Sequence, residues 1–122
     1  MATTARMLHL IPSDDFVSRA RGAGISVDGP LITEDLVCDL AAYEVTRQGS
    51  VLDLSPRQVE LLALFLAAPR RVWSREELHW ICWGDAQSSR RVDVQLCRLR
   101  ARTGVDLFRN VRDRGWALRR TA

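Results

Sequence analysis

The stretch SSRRVDVQLCRLRART, residues 88–103, carries apolar residues at helical spacing and five Arg between them. At about 100° per residue, Val92, Leu96, Leu99 and Thr103 fall on one narrow stripe that a core would cover. Arg91, Gln95, Arg98 and Arg102 form a second stripe, roughly 80 to 120° away by the same step. Arg90, Val94, Cys97 and Ala101 lie nearly opposite the core stripe, and no acid stands among these outward positions. A merely solvated helix more often pairs acids with bases at i, i+4. In a DNA major groove, by contrast, Arg grips guanine, Gln takes adenine and Val meets a thymine methyl. Asp93 points sideways, where it is expected to pin Arg100.

Working outward, the flanks supply the partners this helix needs. Ser88 or Ser89 is expected to cap it, and Thr103-Gly104 to end it. Ser74-Arg75-Glu76-Glu77 is a capping box opening a helix through LHWICW to Gly84. Ser55-Pro56-Arg57-Gln58 opens another in the same way, and VELLALFLAA then runs apolar on most sides to Pro69, as a central core helix would. Upstream, LVCDL, YEVTR and VLDL alternate as strands of a small antiparallel sheet. Downstream, LFRNVR and WALRR flank Asp113-Arg114-Gly115, a hairpin whose turn needs the positive φ that Gly115 tolerates. The order is sheet, helix, helix, turn, helix, hairpin. This is an α+β fold, and a winged helix-turn-helix makes that order compact.

Residues 1–32 form an N-terminal extension to a domain at 33–122. In it MLHLI and ISV read as short strands around a helix in DDFVSRARGAG, opened by Ser13 or Asp14 and closed by Gly22 or Gly24. Such a fragment either packs on the remainder or stays loose.

Composition narrows the function. The 122 residues suit one domain, and no apolar run reaches a membrane span or a secretory leader, so a soluble protein in the cytoplasm, at the nucleoid, is expected. Three scattered cysteines, Cys38, Cys82 and Cys97, fit free thiols in a reducing compartment. Every basic side chain is Arg, a bias that a GC-rich genome explains, though Arg also suits bidentate contacts to phosphate and guanine. The net charge of +3 is unevenly spread: residues 1–56 hold four Arg against eight acids, residues 57–122 fourteen Arg against seven. Positive charge thus gathers at the C-terminal end, as a polyanion-facing surface requires.

No Ser/His/Asp order, paired acid site or Gly-rich phosphate loop is present, so no catalytic residue, cofactor or enzymatic role is expected. His79 and Cys82 stand one helical turn apart, but too few further ligands exist for a metal site. Trp73, Trp80, Trp83 and Trp116 read as core and rim aromatics, with Trp83 as an exposed anchor for a partner.

VLDLSPRQVELLALFL, VWSREELHWICWG, RRVDVQLCRLR and VRDRGWAL, in this order and spacing, resemble the effector domain of the OmpR/PhoB family of response regulators over about residues 35–120. The resemblance implies a sequence-specific regulator of transcription that binds double-stranded DNA. It places the recognition helix, residues 89–102, in the major groove with Arg91, Val94, Gln95 and Arg98 at bases. Trp73, Ser74, Arg75, Arg90, Arg100 and Arg102 then meet phosphates, and the wing, residues 108–119, brings Arg112 and Arg114 to the minor groove or its backbone. In that family the loop between the second and third helices, here residues 83–89, often contacts RNA polymerase, which assigns that role to Trp83, Gly84, Asp85, Ala86 and Gln87. The chain departs from the family in Asp113 within the wing turn and in Cys97 where a basic residue is common, and it is expected to act without a phosphoacceptor receiver of its own. Residues 1–32 resemble, faintly, the first βαβ piece of a receiver; as that or as a separate arm they are candidates for contact with another regulator or a second copy. The alternative reading is a protein-interaction winged helix that bridges RNA polymerase or another regulator to promoters, with DNA contact secondary.

Overall fold

In the computed structural model, residues 13–33, 35–85 and 90–119 are described. Helix α1 spans Ser13–Gly22. Four short strands follow, β1 Leu31–Thr33, β2 Leu36–Asp39, β3 Glu44–Arg47 and β4 Ser50–Val51, in one antiparallel sheet of that order. Helices α2 Pro56–Ala67, α3 Arg75–Trp83 and α4 Arg91–Thr103 form the centre. Strands β5 Phe108–Val111 and β6 Gly115–Leu118 make the C-terminal hairpin.

Both capping boxes form. The Ser55 hydroxyl accepts from the Gln58 N–H while the Gln58 side chain accepts from the Ser55 N–H, and Ser74 and Glu77 repeat the arrangement at α3. Helix α2 is the central core helix: every residue from Gln58 to Leu66 is buried. Each fully buried Leu or Phe contributes on the order of 1.5 to 3 kcal/mol. Phe65 meets Phe108 with ring centroids 4.7 Å apart, which fastens the hairpin to α2.

The fold differs from the sequence-based expectation at several places. Ile25 to Val27 form no strand; Val27 instead drops into the core. The sheet has four strands among the described residues where three were expected, because Leu31–Thr33, too short to show an alternation, pairs with β2. Of VLDL only Val51 belongs to β4, and one further backbone bond, Leu52 N–H to the Val45 carbonyl at 2.9 Å, extends the contact with β3. Helix α4, expected to begin at residue 89, begins at Arg91, with Arg90 as its N-cap and no side-chain cap bond. MLHLI, Ser88 and Ser89 lie outside the described residues.

Helix α1 packs on α3 and does not stand apart. Phe16 and Ala20 belong to the same buried cluster as the α2 leucines. At its end, Ile25 N–H reaches the Ala20 carbonyl and Gly24 N–H the Arg21 carbonyl, a Schellman closure that the positive φ of Gly24 permits. Arg19 Nε donates to the Ile81 carbonyl at 2.7 Å, tying α1 to the last turn of α3.

One acid is fully buried beneath this junction. Glu60 on α2 accepts from Arg57 at 3.0 Å and from the Tyr43 hydroxyl. Burial pushes its carboxyl above the ordinary value of 4.5, while the bonds from Tyr43 and Arg57 pull against that push. A raised pKa in the folded state means that protonation favours folding. This share of stability is complete below pH 4.5 and is lost as pH rises through the folded-state pKa. Glu60→Gln is therefore expected to remove a decline in stability that the unaltered protein shows as pH rises above 4.5, read by urea unfolding across pH. Parallel pH profiles for the two proteins would refute this assignment.

Candidate nucleic-acid interface

Helix α4 divides as its periodicity requires. Val92, Leu96, Leu99 and Thr103 are buried, whereas Arg90, Arg91, Val94, Cys97, Arg98 and Ala101 are exposed. Val94 is 43% exposed, a large apolar side chain left in water on a face that carries no acid.

Three elements meet around Asp93. Its carboxylate accepts from Arg75 Nε at 2.8 and 3.0 Å and from Trp116 Nε1 at 2.9 Å. It therefore does not pin Arg100, which lies 3.5 Å from Asp106 instead. The first turn of α4 faces the start of α3 and strand β6, a juxtaposition that only the folded chain creates. Asp93 thereby fixes how α4 sits relative to α3 and the wing.

Several residues expected at phosphates have partners within the protein. Arg75 is held by Asp93, and Arg102 donates to Asp53, both to its carboxylate at 3.2 Å and to its carbonyl at 3.3 Å. Ser74 is consumed by the α3 cap. Trp73 is fully buried, and its backbone N–H, expected at a phosphate, donates to the Trp116 carbonyl at 2.7 Å while its carbonyl accepts from Trp116 at 2.8 Å. Arg71 stacks on its ring at 4.1 Å. Arg90 and Arg98, by contrast, have no acid partner among the described residues.

The wing turn presents Arg112, Asp113 and Arg114, all exposed, with Asp113 at φ 63°. Together with Arg75 and Glu76 they line an open cleft of about 390 Å³ between the start of α3 and the hairpin. Asp113 and Glu76 place two acids beside the three Arg of that cleft.

The segment expected to contact RNA polymerase is only partly described. Trp83 is half-buried and stacked on His79 at 4.9 Å, with Arg57 over its other reach at 5.8 Å, so it is a packed ring and not an exposed anchor. Trp80, 42% exposed, is the tryptophan on the surface there. Gly84 is the left-handed C-cap of α3, and Asp85 meets the buried His79 Nδ1 at 2.9 Å. Ala86 and Gln87 lie outside the described residues. Among the described residues no group of His, Cys, Asp and Glu stands ready for a metal ion, and no helix is long and apolar enough to cross a membrane.

Nothing in the sequence signals that two residues, Gln58 and Asp53, hold side chains of α4. Gln58, nine-tenths buried on α2, donates to Gln95 at 3.0 Å, and Asp53 holds Arg102. The capping box marked Gln58, but nothing local marks its second partner 37 residues on.

A helix-turn-helix of α3 and α4, packed on α2 and flanked by the β5–β6 wing, defines a winged-helix DNA-binding domain. Residues 49–118 match the family described as transcriptional regulatory protein, C terminal, and the chain belongs to that family of OmpR/PhoB-type effector domains. It is similar to the transcriptional regulatory protein CseB of Streptomyces coelicolor, 38% identical over 104 residues that cover 83% of this chain and 44% of that protein. The DNA-binding response regulator MtrA of Mycolicibacterium smegmatis is 36% identical over 74 residues, covering 59% and 32% respectively. The chain thus spans less than half the length of these relatives. In fold it is similar to the DNA-binding domain of CpxR from E. coli, with a TM-score of 0.69 at 24% identity over 75% of this chain and 96% of that one. It is also similar to the Klebsiella pneumoniae RstA DNA-binding domain, solved in complex with the RstA box, with a TM-score of 0.65 at 22% identity over 73% and 95%.

Proposed function

We propose that this chain is a sequence-specific regulator of transcription that binds double-stranded DNA with α4 in the major groove. Its role is binding, not catalysis. Arg91, Val94, Gln95 and Arg98 meet base edges; Arg90, Arg100, Arg102 and the start of α3 lie along the phosphates; Arg112 and Arg114 reach the minor groove or its backbone. The observation that carries this reading is the outward face of α4, where Arg90, Val94 and Arg98 are exposed together and neither Arg90 nor Arg98 has an acid partner among the described residues. Guanidiniums supply charge, and the exposed Val94 with the small Cys97 and Ala101 permits the close approach that base contact needs. The opposed charges at Arg75, Arg100 and Arg102 can exchange an acid for a phosphate, a swap that costs little at exposed sites.

Affinity for duplex DNA is expected to fall steeply with salt, with a log–log slope of several units, because each neutralised phosphate releases about 0.9 of a counterion. Fluorescence anisotropy with promoter fragments over a salt series measures it. A slope near zero would overturn the groove-facing assignment.

A second reading is favoured by the exposed Trp80 and by the acids that already pair with Arg75, Arg100 and Arg102. In it the domain bridges RNA polymerase or another regulator to promoters, and DNA contact is secondary. Mobility shifts across a promoter pool with and without polymerase holoenzyme separate the two, since binding seen only with holoenzyme selects the second.

A further inference from the structure

Gln58 and Gln95 form a chain of amides with a defined direction. The Ser55 backbone N–H, which can only donate, points at Gln58 Oε1 at 2.9 Å. This end of the Gln58 amide is therefore its oxygen, and the other end, Nε2, faces α4 and donates to Gln95 Oε1 at 3.0 Å. Gln95 thus turns its oxygen toward α2, and its Nε2 has no partner among the described residues. Gln58 is only 7% exposed, so water does not compete for the link that sets this order. The two amides border an open cleft whose other walls include Ser55, Arg98 and Arg102.

We propose that Gln58 determines which base Gln95 reads, by holding the Gln95 amide so that its N–H donors alone reach the groove. Adenine is read by glutamine through oxygen and nitrogen side by side on N6 and N7. With the oxygen drawn back to α2, the donors suit an acceptor edge instead, either O6 and N7 of guanine or O4 of thymine. This replaces the adenine contact expected from the sequence. Gln58 never touches DNA; it is a positioning residue. The inference rests on the proposed placement of α4 in the major groove.

Gln58→Glu reverses the chain. One carboxylate oxygen keeps the Ser55 N–H, and the capping box is preserved because Glu serves it as well as Gln does. The other oxygen can only accept, so it draws Gln95 Nε2 inward and turns Oε1 outward. The experiment is selection of bound sequences from a pool of randomised duplexes by the 122-residue chain, by Gln58→Glu and by Gln58→Met, with helix content checked by circular dichroism. The unaltered protein is expected to favour guanine or thymine at one position by roughly 5- to 150-fold. Gln58→Glu moves that position to adenine or cytosine, the bases that offer donors, and leaves the other positions unchanged. Gln58→Met, which removes both amide bonds, flattens the preference there alone, and it decides the matter should Gln58→Glu not fold. Adenine at that position with the unaltered protein, or an unchanged preference in both folded variants, overturns the relay and leaves the DNA reading intact. Failure of the unaltered protein to select any sequence overturns both.

Discussion

Replacing Gly115 by Ala is expected to lower the melting temperature by roughly 10 to 20 °C, corresponding to about 3 to 5 kcal/mol for a domain of this size. Gly115 has φ +135°, and a Cβ there would lie 1.9 Å from the Trp73 carbonyl oxygen, 2.8 Å from its carbon and 2.9 Å from Ser74 Cα. All three are backbone atoms at the entrance to α3, so no side chain can swing aside. The strained dihedral alone costs about 1 to 3 kcal/mol. Separating the strands also breaks the paired Trp73 and Trp116 backbone hydrogen bonds, worth about 1 kcal/mol each. The damage is directional, because the same strand carries Trp116, whose Nε1 holds Asp93 and so the first turn of α4. Calorimetry checks the magnitude. A melting temperature within a few degrees of the unaltered protein would show that the hairpin and α3 do not approach as described.

Arg98→Ala is expected to weaken binding to a selected site by roughly 5- to 150-fold, or about 1 to 3 kcal/mol, while changing affinity for random duplex far less. Arg98 is exposed, sits one turn beyond Val94, and has no acid partner among the described residues. Its guanidinium is therefore available to grip the two acceptors of a guanine edge without first breaking an ion pair. Arg102 provides the contrast within the same helix. It donates to Asp53, and Arg102→Ala is expected to weaken all duplexes alike by removing one charge. Anisotropy titrations on one selected and one scrambled duplex separate the two. Equal losses on both duplexes for Arg98→Ala would remove Arg98 from base reading.

Much of the candidate interface was legible in the chain because α4 obeys one period. A stripe of Val92, Leu96, Leu99 and Thr103 leaves its opposite face no choice but solvent, and that is where Arg90, Val94 and Ala101 stand. The two capping boxes were equally plain, since their partners are three residues apart. Short, non-alternating segments were not: Leu31–Thr33 becomes a strand only through β2, and Ile25 to Val27 looks like a strand but pairs with none among the described residues.

Helix periods, caps and the gathering of Arg toward the C-terminal end, then, were determined by the sequence alone, because each depends on residues within a turn or two of one another or on composition. Which arginines are engaged was decided only by tertiary structure. Asp93 chose Arg75 over Arg100, Asp53 captured Arg102, Trp73 vanished into the core, and Gln58 turned the amide of Gln95. Partners separated by 18, 49 and 37 residues meet because α2, α3, α4 and the hairpin bury a common apolar core. Hydrogen bonds of a few ångströms are then made between whichever polar groups that packing brings together, and no local pattern records them.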